Sequence, residues 1–399
     1  MPEIQITAMS FGPYAIARLD GRTIMVPNAA PGDRLQVAIA TQRRDYSIAA
    51  IQRVIEPGTD RRSPPCPFLP RCGGCDWQQL EYPAQLRAKA ELIAAGLRRV
   101  IDSELDPDGL IEPAASEFGY RSRIRLKVGR EGALGFYRLG SNELVEIDRC
   151  MVADPSIHLP HEFAAALWRN LEEVEIVADG ERQVLIGAMR KPPAPGDVTR
   201  ARRVMESDGA IAGIVLRSGG AREVIGDPEV ALAIEDGLEI RAGADLFSQV
   251  NHAQNRKLVA TVMEMAAVER GMDLLDIYCG AGNLSLPAAR RGAKVTGIDA
   301  DAHAIAAAAR NAEAGNFAEA KFIASNAIDA LSFLIRARYR PAVVILDPPR
   351  TGAYDLMEQV LKMRPRSVIY VSCDIATLAR DLRVVINGGY RARSGTGFR

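Results

Sequence analysis

The stretch Asp273-Leu-Leu-Asp-Ile-Tyr-Cys-Gly-Ala-Gly-Asn283 joins a short apolar strand to a glycine pair. Such a pair directly after a strand lets a cofactor approach the backbone at the carboxyl end of that strand. Further short strands follow, separated by segments with helical spacing: KVTGID (294–299), KFIAS (321–325), AVVILD (342–347) and SVIYVSC (367–373). Strands that alternate with helices form parallel sheets through right-handed crossovers. Residues 241–399 are therefore predicted to form a doubly wound α/β domain of the Rossmann type.

The glycine pair, Gly280 and Gly282, predicts a nucleoside cofactor when it is taken together with Asp299. The third glycine of the dinucleotide fingerprint is absent, which argues against NAD. Asp299 ends the second strand, where a ribose hydroxyl would sit. A tight turn without a ligand also uses Gly-x-Gly, so that alternative stays open.

Two later strands end in chemically suggestive motifs. Asp347 precedes two prolines, which hold it extended at the ligand edge of the sheet; a plain strand-ending turn is the alternative. Cys373 lies where the helical pattern ATLARDLRVVI begins, and free N–H groups at a helix start favour a thiolate. A buried inert cysteine is the alternative there, and we interpret Cys279 as such a packing residue.

Another cysteine group predicts a metal site. Cys66, Cys72 and Cys75 have the spacing C-x5-C-x2-C in a loop rich in proline and glycine, and Cys150 is the remaining cysteine outside the α/β domain. Four cysteines hold zinc or a [4Fe–4S] cluster. Zinc ligands usually come as two C-x2-C pairs, and one pair favours the cluster. Zinc and unliganded thiols stay open as alternatives.

The first 240 residues divide into two predicted domains. Residues 1–57 alternate in short strands separated by turns, which predicts a small OB-like barrel, a shape often used on nucleic acid. A barrel without a ligand fits the pattern equally well. Residues 58–240 are predicted to form a central α+β domain that contains the cysteines, in an order of elements that the pattern does not give.

One stretch of the central domain is basic on alternate residues. Arg121, Arg123, Arg125 and Lys127 would share one face of a strand. This stripe suits an RNA phosphate backbone, whereas a merely solvated face is the alternative. The chain carries 50 basic and 50 acidic residues, so any basic surface must be local.

Composition indicates a globular protein, with 48% hydrophobic and 25% charged residues. The sequence shows neither a signal-peptide pattern nor an apolar run long enough to span a membrane. We therefore expect a cytoplasmic monomer without membrane contact, in a compartment that keeps thiols reduced.

Together these motifs resemble the RNA uracil-C5 methyltransferase family over nearly the whole chain. VPNAAPGD in the barrel resembles a TRAM domain, CPFLPRCGGC with Cys150 matches the family's cluster ligands, and FSQVN (247–251), DIYCGAGNLSLP, DPPRTG and YVSC follow in family order. The resemblance implies a class I methyltransferase domain, a [4Fe–4S] cluster on the four cysteines, and RNA as partner. Through TRAM it favours 23S rRNA, with tRNA as the alternative. It implies that Cys373 is the nucleophile and that S-adenosyl-L-methionine is held by Gln249, Tyr278, Asn283, Asp299, Asn326 and Asp347.

The chemistry that this resemblance implies is covalent catalysis. Thiolate addition at C6 makes C5 of uracil nucleophilic enough to attack a sulfonium methyl group, and the base must be unstacked to be reached. Cys373-Asp374-Ile375 departs from the family's Cys-Asn-Pro. Family members also carry a glutamate base in a final strand pair. No residue matches it here, so we expect a domain truncated at its last strands. The alternatives are a catalytically impaired RNA-binding homologue and a zinc-stabilised binding module.

Overall fold

The computed structural model describes the chain except residues 70, 99, 102–106, 108, 393, 394 and 399. The N-terminal strands alternate buried apolar and exposed residues and close into a barrel in the order β1-β2-β3-β5-β4, which confirms the predicted barrel. Trp77 and Leu80, from the segment that follows, pack against the barrel interior. The barrel strands are β1 (Glu3–Met9), β2 (Tyr14–Leu19), β3 (Arg22–Pro27), β4 (Arg34–Gln42) and β5 (Tyr46–Glu56).

The central region forms a mixed sheet in the order β13-β12-β11-β10-β7-β8-β9, with two helices on its core side. Phe163 and Leu167 of α2 pack against Leu126 and Ile176 of the sheet. All neighbouring pairs are antiparallel except β11 with β12. The elements are α1 (Tyr82–Leu97), β6 (Ile111–Glu112), β7 (Arg123–Val128), a 3₁₀ turn (Arg130–Gly132), β8 (Leu134–Tyr137), β9 (Leu144–Glu146), α2 (His161–Leu167), β10 (Leu171–Ala178), β11 (Gln183–Met189), α3 (Pro195–Ser207), β12 (Ile211–Ser218) and β13 (Ala221–Gly226).

The C-terminal region forms the predicted parallel sheet, in the order β18-β17-β16-β19-β20. Chain order runs outward in both directions from the boundary between β16 and β19, so this boundary is the switch point where doubly wound sheets bind ligands. The elements are β14 (Glu229–Glu235), β15 (Leu238–Gly243), α4 (His252–Ala266), β16 (Asp273–Ile277), α5 (Ser285–Arg290), β17 (Lys294–Asp299), α6 (Ala302–Ala314), β18 (Ala320–Ala324), α7 (Ala327–Arg336), β19 (Val343–Leu346), α8 (Tyr354–Met363), β20 (Ser367–Tyr370), α9 (Ile375–Asn387) and β21 (Gly397–Phe398).

Several contacts connect the regions. The β14–β15 hairpin packs against α6 through Ile240 and Ala307, while β21 pairs with β6 rather than with the parallel sheet. Helix α1 lies against α9, where Gly96 faces Ile375. None of the helices in the described part of the chain is both long and apolar enough to cross a bilayer.

Candidate functional site

The carboxyl edge of the parallel sheet gathers the predicted cofactor and catalytic residues. Hydrogen bonds join the ends of neighbouring strands at this edge. The amide of Asp347 donates to Ile277 O at 3.3 Å, and the amide of Val371 donates to Leu346 O at 2.8 Å. The amide of Tyr278 donates to Ile298 O at 2.8 Å. This edge therefore carries Tyr278, Gly280, Gly282, Asp299, Asp347 and Cys373.

The two glycines after β16 differ in what surrounds them. Gly280 has φ +53°, and a Cβ there would meet no atom within 4 Å. Gly282 has φ +101°, and a Cβ there would lie 2.9 Å from Cγ of Leu286. Gly282 thus lets α5 pack closely, whereas Gly280 leaves open space in which a cofactor can approach the backbone.

Three acidic side chains lie at this carboxyl edge of the sheet. Asp276 is buried and accepts from Ser285 Oγ at 2.6 Å, while its other carboxylate oxygen is buried without a partner among the described residues. Burial raises the pKa of Asp276 to about 7 and the pKa of Asp347 to about 6. Asp299 accepts the amide of Gly280 at 2.9 Å. The sequence interpretation missed Asp276, although its place at the end of the first strand was a signal. A cationic ligand fits such an edge.

Two asparagines that are predicted to contact the cofactor also have protein partners. The side-chain amides of Asn283 and Asn255 exchange hydrogen bonds at 2.8 and 2.9 Å, which ties α4 to the glycine turn. Asn326 caps α7, accepting from the amide of Asp329 at 2.9 Å and donating to its carboxylate at 2.5 Å. Both side chains therefore position elements around the cofactor site.

Gln249 lies in the segment that leads into α4, and its side chain is partly buried. The amide of Ser122 donates to Val250 O at 2.9 Å, so this segment is fastened to the central sheet. Phe247, two residues earlier, is 78% exposed. An exposed aromatic ring suits stacking on an unstacked base. The sequence interpretation quoted FSQVN without singling out Phe247.

Cys373 is exposed in the turn between β20 and α9. The expectation that free helix amides stand beside it is wrong, because Asp374 caps α9. Its carboxylate accepts from the amides of Ala376 and Thr377 at 3.0 and 2.9 Å. The amide of Thr377 holds the pKa of Asp374 below its usual range. The thiol is accessible, but those amides are already occupied.

A buried network joins the loop after Asp347 to the helix that follows Cys373. Asp381 of α9 is fully buried and accepts from Tyr370 Oη at 2.6 Å, from the amide of Ala353 at 2.7 Å and from Arg380 Nε at 2.7 Å. These bonds fix the loop of the Asp-Pro-Pro-Arg motif relative to the cysteine turn.

The four predicted metal-ligating cysteines line one cavity of about 160 Å³. Cys66, Cys72 and Cys75 lie in the loop between β5 and α1, and Cys150 follows β9. The loop is held against the sheet because the amide of Gly73 donates to Tyr137 O at 3.0 Å. Burial, with the other thiols adding to it, raises the pKa of Cys75 to about 11. The structure thus brings together cysteines from distant parts of the sequence.

No set of three or more His, Cys, Asp or Glu side chains in the described residues is arranged to hold a metal ion. The cysteines surround a space instead. Four cysteine thiolates hold either a [4Fe–4S] cluster or a zinc ion, and both assignments remain sequence predictions.

The predicted RNA-binding stripe is largely neutralised by glutamates of β10, which changes its interpretation. Arg123 pairs with Glu175 at 3.2 Å, Arg125 with Glu175 at 3.1 Å, and Lys127 with Glu173. Arg123 is also only 13% exposed in its side chain. Its guanidinium donates to the carbonyls of Ala244 and Leu246, both at 2.7 Å.

Arg121 lies outside β7, and with Arg125 it lines the cysteine cavity. Because Arg123 is bonded to Glu175, Ala244 and Leu246, it acts as a structural crosslink. The paired cations of β7 do not form a free cationic face. The assignment of the stripe to RNA binding remains a sequence prediction.

The doubly wound sheet, with an open glycine turn and carboxylates at its switch point, fits the methyltransferase domains of the S-adenosylmethionine-dependent class. The crystal structure of Pyrococcus abyssi tRNA (uracil-54, C5)-methyltransferase in complex with S-adenosyl-L-homocysteine shares the fold. It matches with a TM-score of 0.71 and 22% identity, covering 96% of this chain and 93% of that chain.

Sequence comparisons narrow this class. The tRNA (Uracil-5-)-methyltransferase family model matches residues 221–389. A 23S rRNA (uracil(1939)-C(5))-methyltransferase RlmD of Shewanella amazonensis is 32% identical over 94% of this chain and 87% of the relative. An uncharacterised RNA methyltransferase of Halalkalibacterium halodurans is 31% identical over 98% of this chain and 92% of the relative. The chain belongs to the RNA uracil-C5 methyltransferase family and is an RNA (uracil-C5) methyltransferase.

Proposed function

We propose that this chain methylates C5 of a uridine in 23S rRNA through a covalent adduct between Cys373 and C6 of the base. The observation that carries the proposal is the exposed thiol of Cys373 on the same sheet edge as the open glycine turn and the acidic side chains. The 23S rRNA substrate is supported by the relatives named for it, which match nearly the full length of this chain.

The acidic edge supports S-adenosylmethionine as the methyl donor. Its sulfonium cation is complementary to the carboxylates of Asp276, Asp299 and Asp347, and the open space at Gly280 accepts the nucleoside part. Gln249 and Tyr278 complete the proposed contacts, while Asn283 and Asn326 keep the turn and α7 in place. The donor supplies an electrophilic methyl group.

The proposed chemistry follows from the position of the thiol. The Cys373 thiolate adds to C6, which forms an S–C6 bond and moves the electron pair of the C5–C6 double bond into an enolate. C5 then attacks the methyl carbon, and the electrons of the broken sulfonium bond remain on the donor sulfur. Transfer of the C5 proton to water restores the double bond and expels the thiolate, since no described residue is assigned as the base. We assign the exposed ring of Phe247 to stacking on a base that has left its helix.

The cysteine cavity supports a [4Fe–4S] cluster held by Cys66, Cys72, Cys75 and Cys150. Such a cluster would crosslink the loop after the barrel to the turn after β9. We assign it to the stability of the central domain. The predicted TRAM identity of the barrel is supported by its closed five-strand order.

The covalent mechanism is tested with RNA that carries 5-fluorouridine at the target position. Fluorine cannot leave C5 as a cation, so methylation should trap RNA on the protein as a band that survives denaturation. Cys373→Ala should abolish both this band and methyl transfer to ordinary RNA, while binding of S-adenosylhomocysteine persists. A trapped band that Cys373→Ala retains would overturn the assignment.

Cys279→Ala is the matched control, because it removes the other cysteine of residues 241–399. That thiol is buried behind the glycine turn, so the control should keep the band. Substrate identity is tested separately by comparing 23S rRNA with tRNA as methyl acceptors. Methylation of tRNA alone would refute the ribosomal assignment and leave the covalent mechanism intact.

A further inference from the structure

Two neighbouring loops at the amino ends of β19 and β20 concentrate positive charge. The segments RARYRP (336–341) and KMRPR (362–366) contain no acidic residue. Their cations are all exposed, and we call them the basal patch: Arg336, Arg338, Arg340, Lys362, Arg364 and Arg366. In a chain whose formal net charge is zero, this is a local accumulation that like-charge repulsion opposes.

The structure places the two loops side by side. Val343 pairs with Ser367 in the parallel ladder, and the amide of Arg366 donates to Ala342 O at 2.7 Å. Tyr390, after α9, donates its hydroxyl to Pro365 O at 2.6 Å and packs the end of α9 beside the same loop. The patch thus lies at the edge of the sheet opposite to Cys373.

The patch also differs from the predicted stripe in its ion pairing. Arg366 lies 3.9 Å from Glu269, with both side chains more than half exposed. The other five cations have no carboxylate within ion-pair distance in the described residues. The cations of β7 are instead matched by Glu173 and Glu175. Free positive charge is therefore found at the basal patch rather than on β7.

Helix dipoles account for part of the patch. Arg336 and Lys362 lie in the last turns of α7 and α8, where a cation stabilises a helix by about 0.3–1 kcal/mol. Arg340 and Arg366 follow these helices and stand at the entrances of strands, where no such stabilisation acts. A partner with negative charge explains the whole group.

We propose that the basal patch is a second contact surface for the RNA substrate and holds phosphates away from the target uridine. This inference rests on the proposed function. Five of the six cations are arginines, whose planar forks match phosphate oxygens. A four-residue strand spans about 13 Å, so a folded RNA that is bound at Cys373 can also occupy the opposite edge of the sheet.

The test replaces Arg338, Arg340 and Arg364 together by Gln. The matched control replaces Arg190, Arg202 and Arg203 by Gln, which removes the same charge from exposed arginines without a side-chain partner in the described residues. Circular dichroism and thermal unfolding verify that both variants fold. Each is then assayed for binding to a ribosomal RNA fragment of about a hundred nucleotides and to a target oligonucleotide of about six.

The basal variant should bind the long RNA about tenfold more weakly, and its logarithmic salt slope should fall by about two units, as expected for three lost phosphate contacts. The control should change neither quantity. Methylation of the oligonucleotide should remain within about twofold of the unmodified protein, because this patch does not reach the catalytic edge.

An equal loss in both variants, or an unchanged salt slope, would overturn the proposal. Unchanged RNA binding together with lost binding to an acidic protein would assign the patch to a protein partner and overturn it as well. The oligonucleotide assay separates the two proposals. Absence of methylation by the unmodified protein would refute the proposed function. The comparison of RNA binding would still show whether the basal patch contacts RNA.

Discussion

At the residue scale, Arg123 shows how a neighbouring strand changes the interpretation of an alternating basic pattern. The alternation correctly placed Arg123, Arg125 and Lys127 on one face of a strand. It could not reveal Glu173 and Glu175, because these glutamates reach the same face from β10, almost 50 residues further along the chain. Whether the basic side chains of a strand form a cationic surface depends on the side chains of the adjacent strands.

Arg123→Ala should therefore lower stability rather than RNA affinity. The substitution leaves the 7%-exposed side chain of Glu175 less compensated and removes the donors to Ala244 and Leu246, so we expect a loss of about 3 kcal/mol. Arg125→Ala, at a side chain that is 54% exposed, should change stability by less than about 1 kcal/mol. Urea unfolding measures both effects, and the salt slope of RNA binding should remain unchanged. A reduced slope with unchanged stability would restore the phosphate assignment.

The cysteines and the asparagines differ in how much their sequence pattern reveals about a site. The spacing of Cys66, Cys72 and Cys75 identified a group that the structure places around one cavity, because soft ligands close in sequence have few other uses. Asn283 and Asn326 fitted the family pattern equally well. Their side chains also form a crosslink and a helix cap, roles that a single residue letter does not show beside the predicted ligand binding.

At the element scale, the packing of α1 against α9 gives a physical reason for the departure at Ile375. A Cβ on Gly96 would lie 2.8 Å from Cγ1 of Ile375. The glycine thus makes room for a branched side chain at the start of α9, where the family pattern has proline. The sequence alone could not pair these positions, which lie in different domains.

A double-mutant cycle tests this contact. Gly96→Ala should destabilise the protein by about 1–3 kcal/mol through overpacking, although alanine is the better helix former. In the Ile375→Ala background the clash is absent, so Gly96→Ala should stabilise by up to about 1 kcal/mol. Urea unfolding of the four proteins gives the coupling energy. Additive effects would show that the two side chains do not meet.

At the scale of the whole molecule, the periodic sequence pattern predicted the elements of the N-terminal and C-terminal domains. It did not predict the order of the elements in the central domain. Parallel strands joined by helices are local units, so they leave a repeating pattern. In the central sheet β7 pairs with β10 and β11 pairs with β12 across intervening helices, and no local period records such pairings. The central core and the core of the parallel sheet consist of separate groups of residues.

This separation predicts that the cluster and the cofactor stabilise different parts of the molecule. Cys150, Phe68 and Phe136 border the cysteine cavity and also pack against the central core. Cys75→Ser should therefore remove most of the iron, about four atoms per chain in the anaerobically purified protein, and lower the unfolding temperature of the central domain. S-adenosylhomocysteine, which we expect to bind at the edge of the parallel sheet, should still raise the unfolding temperature of the C-terminal domain by mass action. Cys373→Ser is the matched control, because this thiol is exposed and does not line the cavity, so the iron content of the variant should remain unchanged. Colourless protein with zinc, or a Cys75→Ser variant that also loses binding of S-adenosylhomocysteine, would contradict this division.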